Sequence, residues 1–296
     1  MTGVPRLVVD ADPDLARAMR GLAERRLVFF AGLPGTGKSL LVHQLTHLAA
    51  RIGRTVHLLQ WDVARPAFEA SAAGHRYPLA DGVTHPVIRK AAGLWARVAV
   101  ADWDARHPDP RHLLIGETPF VGGRFVELAR QIVDAAEPLL TAPSCRFAIA
   151  VPSREVRRFL EAERERRAAS PRHPREREDA PPSVLRALWR DLHAVATSRG
   201  LATRAEPGGS NEHDPPYDPD VYQRVYEAVL SRRRVQALAL GAILPTEALS
   251  VYDFAVPPPD LAPTEAEADA FIREVERRYP GASALESEIA RWPDSP

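Results

Sequence analysis

Apolar side chains along this chain fall into two kinds of pattern. Short, nearly unbroken runs with the length and bounding turn residues of buried strands occur at 27–31, 55–60, 112–115, 146–151 and 235–240. Between them apolar positions recur three and four apart, which predicts helices over 39–51, 86–104, 122–140, 153–168 and 184–199. Strands that alternate with helices predict an α/β fold, a five-stranded parallel sheet covered by helices on both faces.

Two stretches break the rhythm. Residues 161–183, "EAERERRAASPRHPREREDAPPS", are dense in charge and close in prolines, and residues 204–220, "RAEPGGSNEHDPPYDPD", are loop-forming. Both are expected to be mobile. Beyond the last strand the prolines of "VPPPDLAP" stiffen a linker into "TEAEADAFIREVERRY", where Thr264 reads as the N-cap of a terminal helix. The chain therefore divides into a main domain, 1–255, and a C-terminal linker and helix, 256–296.

Composition narrows the function classes. At 296 residues and 45% hydrophobic the chain buries a sizeable core, and 39 basic side chains against 39 acidic ones leave no global field for a polyanion or a membrane. A single cysteine, Cys145, excludes an internal disulfide and a thiolate zinc site. The N-terminus carries acids where a leader needs positive charge, and no window has the apolar length of a membrane span. A cytoplasmic protein with no membrane partner is expected.

The most informative stretch follows the first strand. Gly32, Leu33, Pro34, Gly35, Thr36, Gly37, Lys38 and Ser39 match G-x-x-x-x-G-K-[ST], the P-loop, and Leu40 continues into a helix. A triphosphate needs many convergent donors and no side chains in the way. Bare glycine backbone at a helix N-terminus supplies N–H groups and a favourable dipole. The pattern predicts that Lys38 reaches the β- and γ-phosphate oxygens of ATP and that the Ser39 hydroxyl ligates Mg²⁺. His43 and His47 lie four apart on the same helix, but the Glu of a metalloprotease helix is missing, so they read as packing or surface histidines.

Absent motifs sort the P-loop classes. The chain has no N-K-x-D, no D-x-x-G and no L-S-G-G-Q, and its third strand ends in Gly-Glu-Thr rather than an Asp-Glu pair. With "LLQWDVARPAFE" at the end of the second strand, the octet resembles the P-loop kinases, closest to the polynucleotide-kinase and zeta-toxin-like phosphotransferases. The resemblance spans about residues 27–170. It implies that Asp62 is the general base and that Arg65 holds the acceptor. It also implies that Glu117 orients Mg²⁺ and that residues of about 153–183 form an arginine-rich lid. Arg157 and Arg164, seven apart and so on one helical face, are the lid candidates.

The residues themselves agree in part. Ligands of a doubly wound sheet bind beyond the carboxyl ends of its strands, where Asp62 lies. A carboxylate there can take a hydroxyl proton, or it can cap the helix that starts near Pro66. Arg65 suits an anionic group on the acceptor or a surface ion pair. His85 and Arg89 are candidates for the acceptor pocket, with a cap or solvated role open for His85. The sum is an ATP-dependent kinase that transfers the γ-phosphoryl group to a hydroxyl of a small-molecule or nucleotide-type acceptor. Two alternatives stand beside it: a polynucleotide 5′-hydroxyl kinase, and a nucleotide-binding regulator or partner-activated ATPase.

Overall fold

Every side chain of the first strand is buried, which marks it as the centre of the sheet. The computed structural model describes residues 7–80, 83–202, 215–246, 249–256 and 258–294. Its strands are β1 (Leu27–Ala31), β2 (Thr55–Gln60), β3 (His112–Thr118), β4 (Cys145–Pro152) and β5 (Val235–Leu240). They pair in the order β2-β3-β1-β4-β5, every neighbour parallel. Ten α-helices are described: α1 (Pro13–Ala23), α2 (Lys38–Arg51), α3 (Trp61–Ala70), α4 (Pro86–Arg106), α5 (Glu137–Thr141), α6 (Arg154–Ala169), α7 (Pro182–Ser198), α8 (Pro219–Val229), α9 (Glu265–Arg278) and α10 (Ala282–Ala290). Among the described residues no helix is long and apolar enough to cross a membrane.

The pleat of β1 divides the core in two. Val28 and Phe30 meet Met19 and Leu22 of α1 and Leu41 and Leu45 of α2. Leu27, Phe29 and Ala31 face the other layer, which holds Trp95 and Trp103 of α4, Trp189 of α7, Tyr222 of α8 and Ile272 of α9. The five tryptophan and tyrosine positions at helical spacing, Trp95, Trp103, Trp189, Tyr222 and Tyr226, are all buried. The outer edge of β2 is not bare: Leu58 N–H donates to Pro259 and Leu261 N–H donates to Leu58, at 3.0 and 2.7 Å.

The strands agree closely with the apolar runs, and β3 and β4 extend past them. Three helices were not expected, α1, capped by Asp12, α8, capped by Asp218, and α10, and α3, expected to start near Pro66, starts at Trp61 directly after β2. One expected helix, 122–140, is absent. That segment makes two short 3-10 turns and only the five residues of α5. The reason is long-range: the buried Arg97 guanidinium takes the carbonyls of Glu127, Arg130 and Ile132, and Arg233 takes that of Leu128, so oxygens that would serve a helix are spent elsewhere. Of the charge-dense stretch, residues to Ala169 belong to α6 and Pro174–Glu178 form a 3-10 turn. Most of the loop-forming stretch, 203–214, lies outside the described residues.

Candidate active site

β1 ends at Ala31, and the octet 32–39 turns the chain into α2. Gly32, at φ 149°, leaves no room for a side chain: a Cβ there would lie 2.3 Å from the Tyr222 hydroxyl. Gly35, at φ 72°, would bring a Cβ to 2.8 Å from Leu185. The loop is thus gripped from outside by α7 and α8. Leu33 N–H donates to the Tyr222 hydroxyl at 3.1 Å, Thr36 Oγ1 donates to the Leu33 carbonyl at 2.8 Å, and Arg157 Nη1 donates to the Gly35 carbonyl at 3.4 Å. Pro34 and Leu40 are half-buried on either side. α2 begins at Gly37 with no side-chain cap, which leaves first-turn N–H groups for a ligand.

Lys38 curls back on this loop. Its Nζ donates to the Leu33 carbonyl at 2.8 Å and lies 3.6 Å from Glu117 Oε1. Ser39 Oγ is 3.3 Å from Glu117 Oε2. The register explains the meeting, since Phe30 pairs with Glu117 and Ala31 with Thr118, so β3 ends beside the loop. Burial pushes the Lys38 ammonium down against the pull of Glu117 and Asp62, and burial also pushes the Glu117 carboxyl up, with Asp62 adding to it and Lys38 opposing. Thr118 is buried and donates to the Phe30 carbonyl, so it holds the strand end.

Asp62 is exposed in the first turn of α3, whose N-cap is Gln60. Gln60 pairs with Glu117, so Asp62 stands at the same end of the sheet, and its charge bears on Lys38, Glu117 and Arg124. It is not the cap of a helix at Pro66, which lies inside α3. Pro66 has no N–H for the Asp62 carbonyl, so the backbone oxygen of Asp62 lacks its helical donor.

Arg65 and the Asp62 charge both bear on Arg124, and Arg89 lies beside Arg124. Arg65 pairs with Glu69 at 2.8 Å. Arg89 Nη1 donates to the Gly122 carbonyl at 2.6 Å and Arg124 Nη1 to the Val121 carbonyl at 3.0 Å. Both guanidinium groups crowd Gly122, 3.1 and 3.2 Å from where a Cβ would stand. Burial and then Arg124 hold Arg89 down to about 10. Burial and Arg65 lower Arg124, while Asp62 opposes. Arg89 Nε is buried with no hydrogen-bond partner among the described residues. Phe120 and Phe125, both at φ 58°, bracket Arg124, a backbone strain that clusters at ligand sites.

Arg124 and Tyr222 were not singled out for the site by the sequence reading. The run Gly122-Gly123-Arg124 just past β3 is the signal that locates the first. Other expected residues lie apart. His85 accepts from Val87 N–H at 3.2 Å and caps α4. Arg164 turns away from the loop to pair with Asp179. Of the two arginines on the face of α6, only Arg157 reaches the octet, and its Nη2 is buried without a hydrogen-bond partner among the described residues.

Chemically, one end of the sheet collects uncapped N–H groups, Lys38 and Arg157, which suit a polyanion, beside two hard oxygen donors, Ser39 and Glu117, which suit a hard cation. Two surface clefts, one at Ala270, Arg273, Glu276 and Arg277 and one at His193, Leu201, Val221 and Arg224, include none of these residues. Compared with protein-family models, curated proteins and solved structures, the chain matches none of them.

Proposed function

We propose that this protein is an ATP-dependent kinase of the P-loop type, transferring the γ-phosphoryl group to a hydroxyl of a small-molecule or nucleotide-type acceptor. The observation that carries the reading is the convergence of the glycine-rich octet, Lys38, Ser39, Glu117 and Asp62 at the carboxyl ends of β1, β2 and β3. The residues fit the groups they would hold. The uncapped start of α2 and the unpartnered Arg157 Nη2 suit phosphate oxygens, and the Ser39 and Glu117 oxygens suit Mg²⁺.

Mg-ATP would supply the electrophilic γ-phosphorus, with ADP as the leaving group. Lys38, now on the Leu33 carbonyl and near Glu117, would hold phosphate oxygens, and Arg157 would add positive charge from α6. Asp62 takes the proton of the acceptor hydroxyl as its oxygen bonds to the γ-phosphorus and the bond to the β-phosphate oxygen breaks. Most of the rate would come from positioning and fixed charge. Arg89 and Arg124 favour an acceptor that carries an anionic group.

The test is a screen with γ-labelled ATP against nucleosides, nucleotides, sugar phosphates and oligonucleotides. Asp62→Asn is expected to lower transfer about 10²–10⁴-fold with ATP affinity nearly unchanged. Undiminished transfer would remove Asp62 from the chemistry. Salt-sensitive binding of short oligonucleotides would favour the polynucleotide acceptor. ATP binding with slow hydrolysis and no labelled acceptor would favour a regulatory ATPase.

A further inference from the structure

The opposite end of the sheet holds a second group of ligand-bearing side chains. His57 lies on β2, His112 opens β3, and His107 is the C-cap of α4. The register pairs Thr55 with His112 and His57 with Leu114, so His57 and His112 share one face of the sheet as diagonal neighbours. That face is the one α4 covers, since Leu114 and Trp103 belong to the same core cluster, and the chain leaving α4 brings His107 over the pair. One ring nitrogen of each histidine lies within 4.8 Å of the other two. His57 Nε2 is 3.0 Å from His112 Nδ1, and the His107 ring centroid is 4.4 and 4.7 Å from those of His57 and His112.

We propose that His57, His107 and His112 form a three-imidazole site for a borderline divalent transition cation, Zn²⁺ in the first instance, with water completing the coordination. Imidazole nitrogens about 2.0–2.1 Å from a tetrahedral Zn²⁺ stand about 3.3 Å from one another. The His57 to His112 contact need open by only a few tenths of an ångström, and His107, whose ligand atom lies within 4.8 Å of both, has the larger approach to make. The outer hydrogen bond is already made. His107 Nδ1 donates to the Trp103 carbonyl at 2.9 Å, which fixes the tautomer and leaves the Nε2 lone pair for a metal.

Three arginines bear on the cluster, and Arg106 has only the Asp102 carbonyl among the described residues. Arg26 binds Asp104 at 2.8 Å and Arg111 binds Asp109 at 2.7 Å, so two of the nearby cations are neutralised. His107 and His112 are half-buried, which gives an ion a way in. A cation here would tie the end of α4 to β2 and β3, at the far end of the strand that carries Glu117.

The test is calorimetric titration of Zn²⁺ into the full-length, chelator-treated protein, with visible absorption of Co²⁺ reporting imidazole coordination. One equivalent is expected to bind. His107→Gln and His112→Gln, both at half-buried positions and checked for folding by circular dichroism, are each expected to weaken it about tenfold or more. The exposed His75→Gln is expected to leave it unchanged. Saturating Zn²⁺ should raise Tm in the parent protein and not in the two ligand variants. No binding, or binding that survives both substitutions with the same stoichiometry and affinity, would overturn the proposal.

Discussion

Two pairs of arginines meet the irregular segment after β3, one buried and the other half-buried, and they are satisfied in opposite ways. Arg97 and Arg233 are closed by carboxylates: Arg97 reaches Asp134 at 2.6 Å and Glu137 at 2.8 Å, and Arg233 reaches Glu137 at 2.7 Å. Burial pulls Arg97 down, but its hydrogen bonds to Asp134 and Glu137 outweigh the loss and its pKa rises. Arg89 and Arg124 have carbonyls and each other, and neither has an ion-pair partner among the described residues. Their pKa values fall. The first pair is complete without a ligand and acts as a clamp. The second leaves two positive charges side by side with no ion pair, only the field of Asp62 on Arg124 opposing, an arrangement that an anion would relieve.

The clamp should be the more expensive to break. Removing one partner of a buried ion pair leaves the other uncompensated, so Arg97→Met is expected to destabilise the protein by about 3–5 kcal/mol in urea unfolding. Loss under about 1 kcal/mol would mean that the segment is held by its apolar contacts instead. Acid gives a gentler cut. Burial raises Asp134 and Glu137, but their hydrogen bonds to Arg97 and Arg233 outweigh it and hold both carboxyls below their ordinary range. The stability they contribute is therefore full above their unfolded values, near pH 4 to 4.5, and is lost as pH falls through the lowered folded values. Tm measured from pH 6 to pH 3 should drop less steeply in Glu137→Gln than in the parent. An equal slope would show that other carboxyls carry the acid loss.

The same segment shows what local pattern can and cannot tell. β1 is legible because a strand buried on both faces is an unbroken apolar run, and the octet is legible because phosphate binding demands glycine and lysine at fixed spacing. Residues 122–140 carry a helix-like spacing, yet their backbone is decided by Arg97 and Arg233, about 30 and 105 residues away in the chain. Arg124 was hidden by that expectation, because a helix there would have turned a site residue into a surface one. Tyr222 meets Leu33 across 189 residues, and the three histidines meet only once the register of β2 and β3 is known. Arg157 and Arg164 show the limit of helical phase: seven residues apart they share a face, but α6 passes the octet at one and the 174–179 turn at the other.

The unpaired arginines give the smallest and most selective effect. Arg124→Gln removes a charge that has no ion-pair partner to strand among the described residues, only the Val121 carbonyl, so its cost in the absence of ligand is expected to stay within about 1 kcal/mol. Anion binding should depend on it. In a Lys38→Ala background, which weakens the octet's own hold on phosphate, inorganic phosphate at about ten times its Kd should stabilise the protein by about 1.4 kcal/mol. The added change Arg124→Gln should abolish that gain, whereas Arg65→Gln, whose guanidinium already has Glu69, should reduce it less. Thermal unfolding against phosphate concentration reads all three. If the gain survives without Arg124, the pair at Gly122 resembles the clamp at Glu137 more than it differs, and the acceptor's charge must be met by other residues.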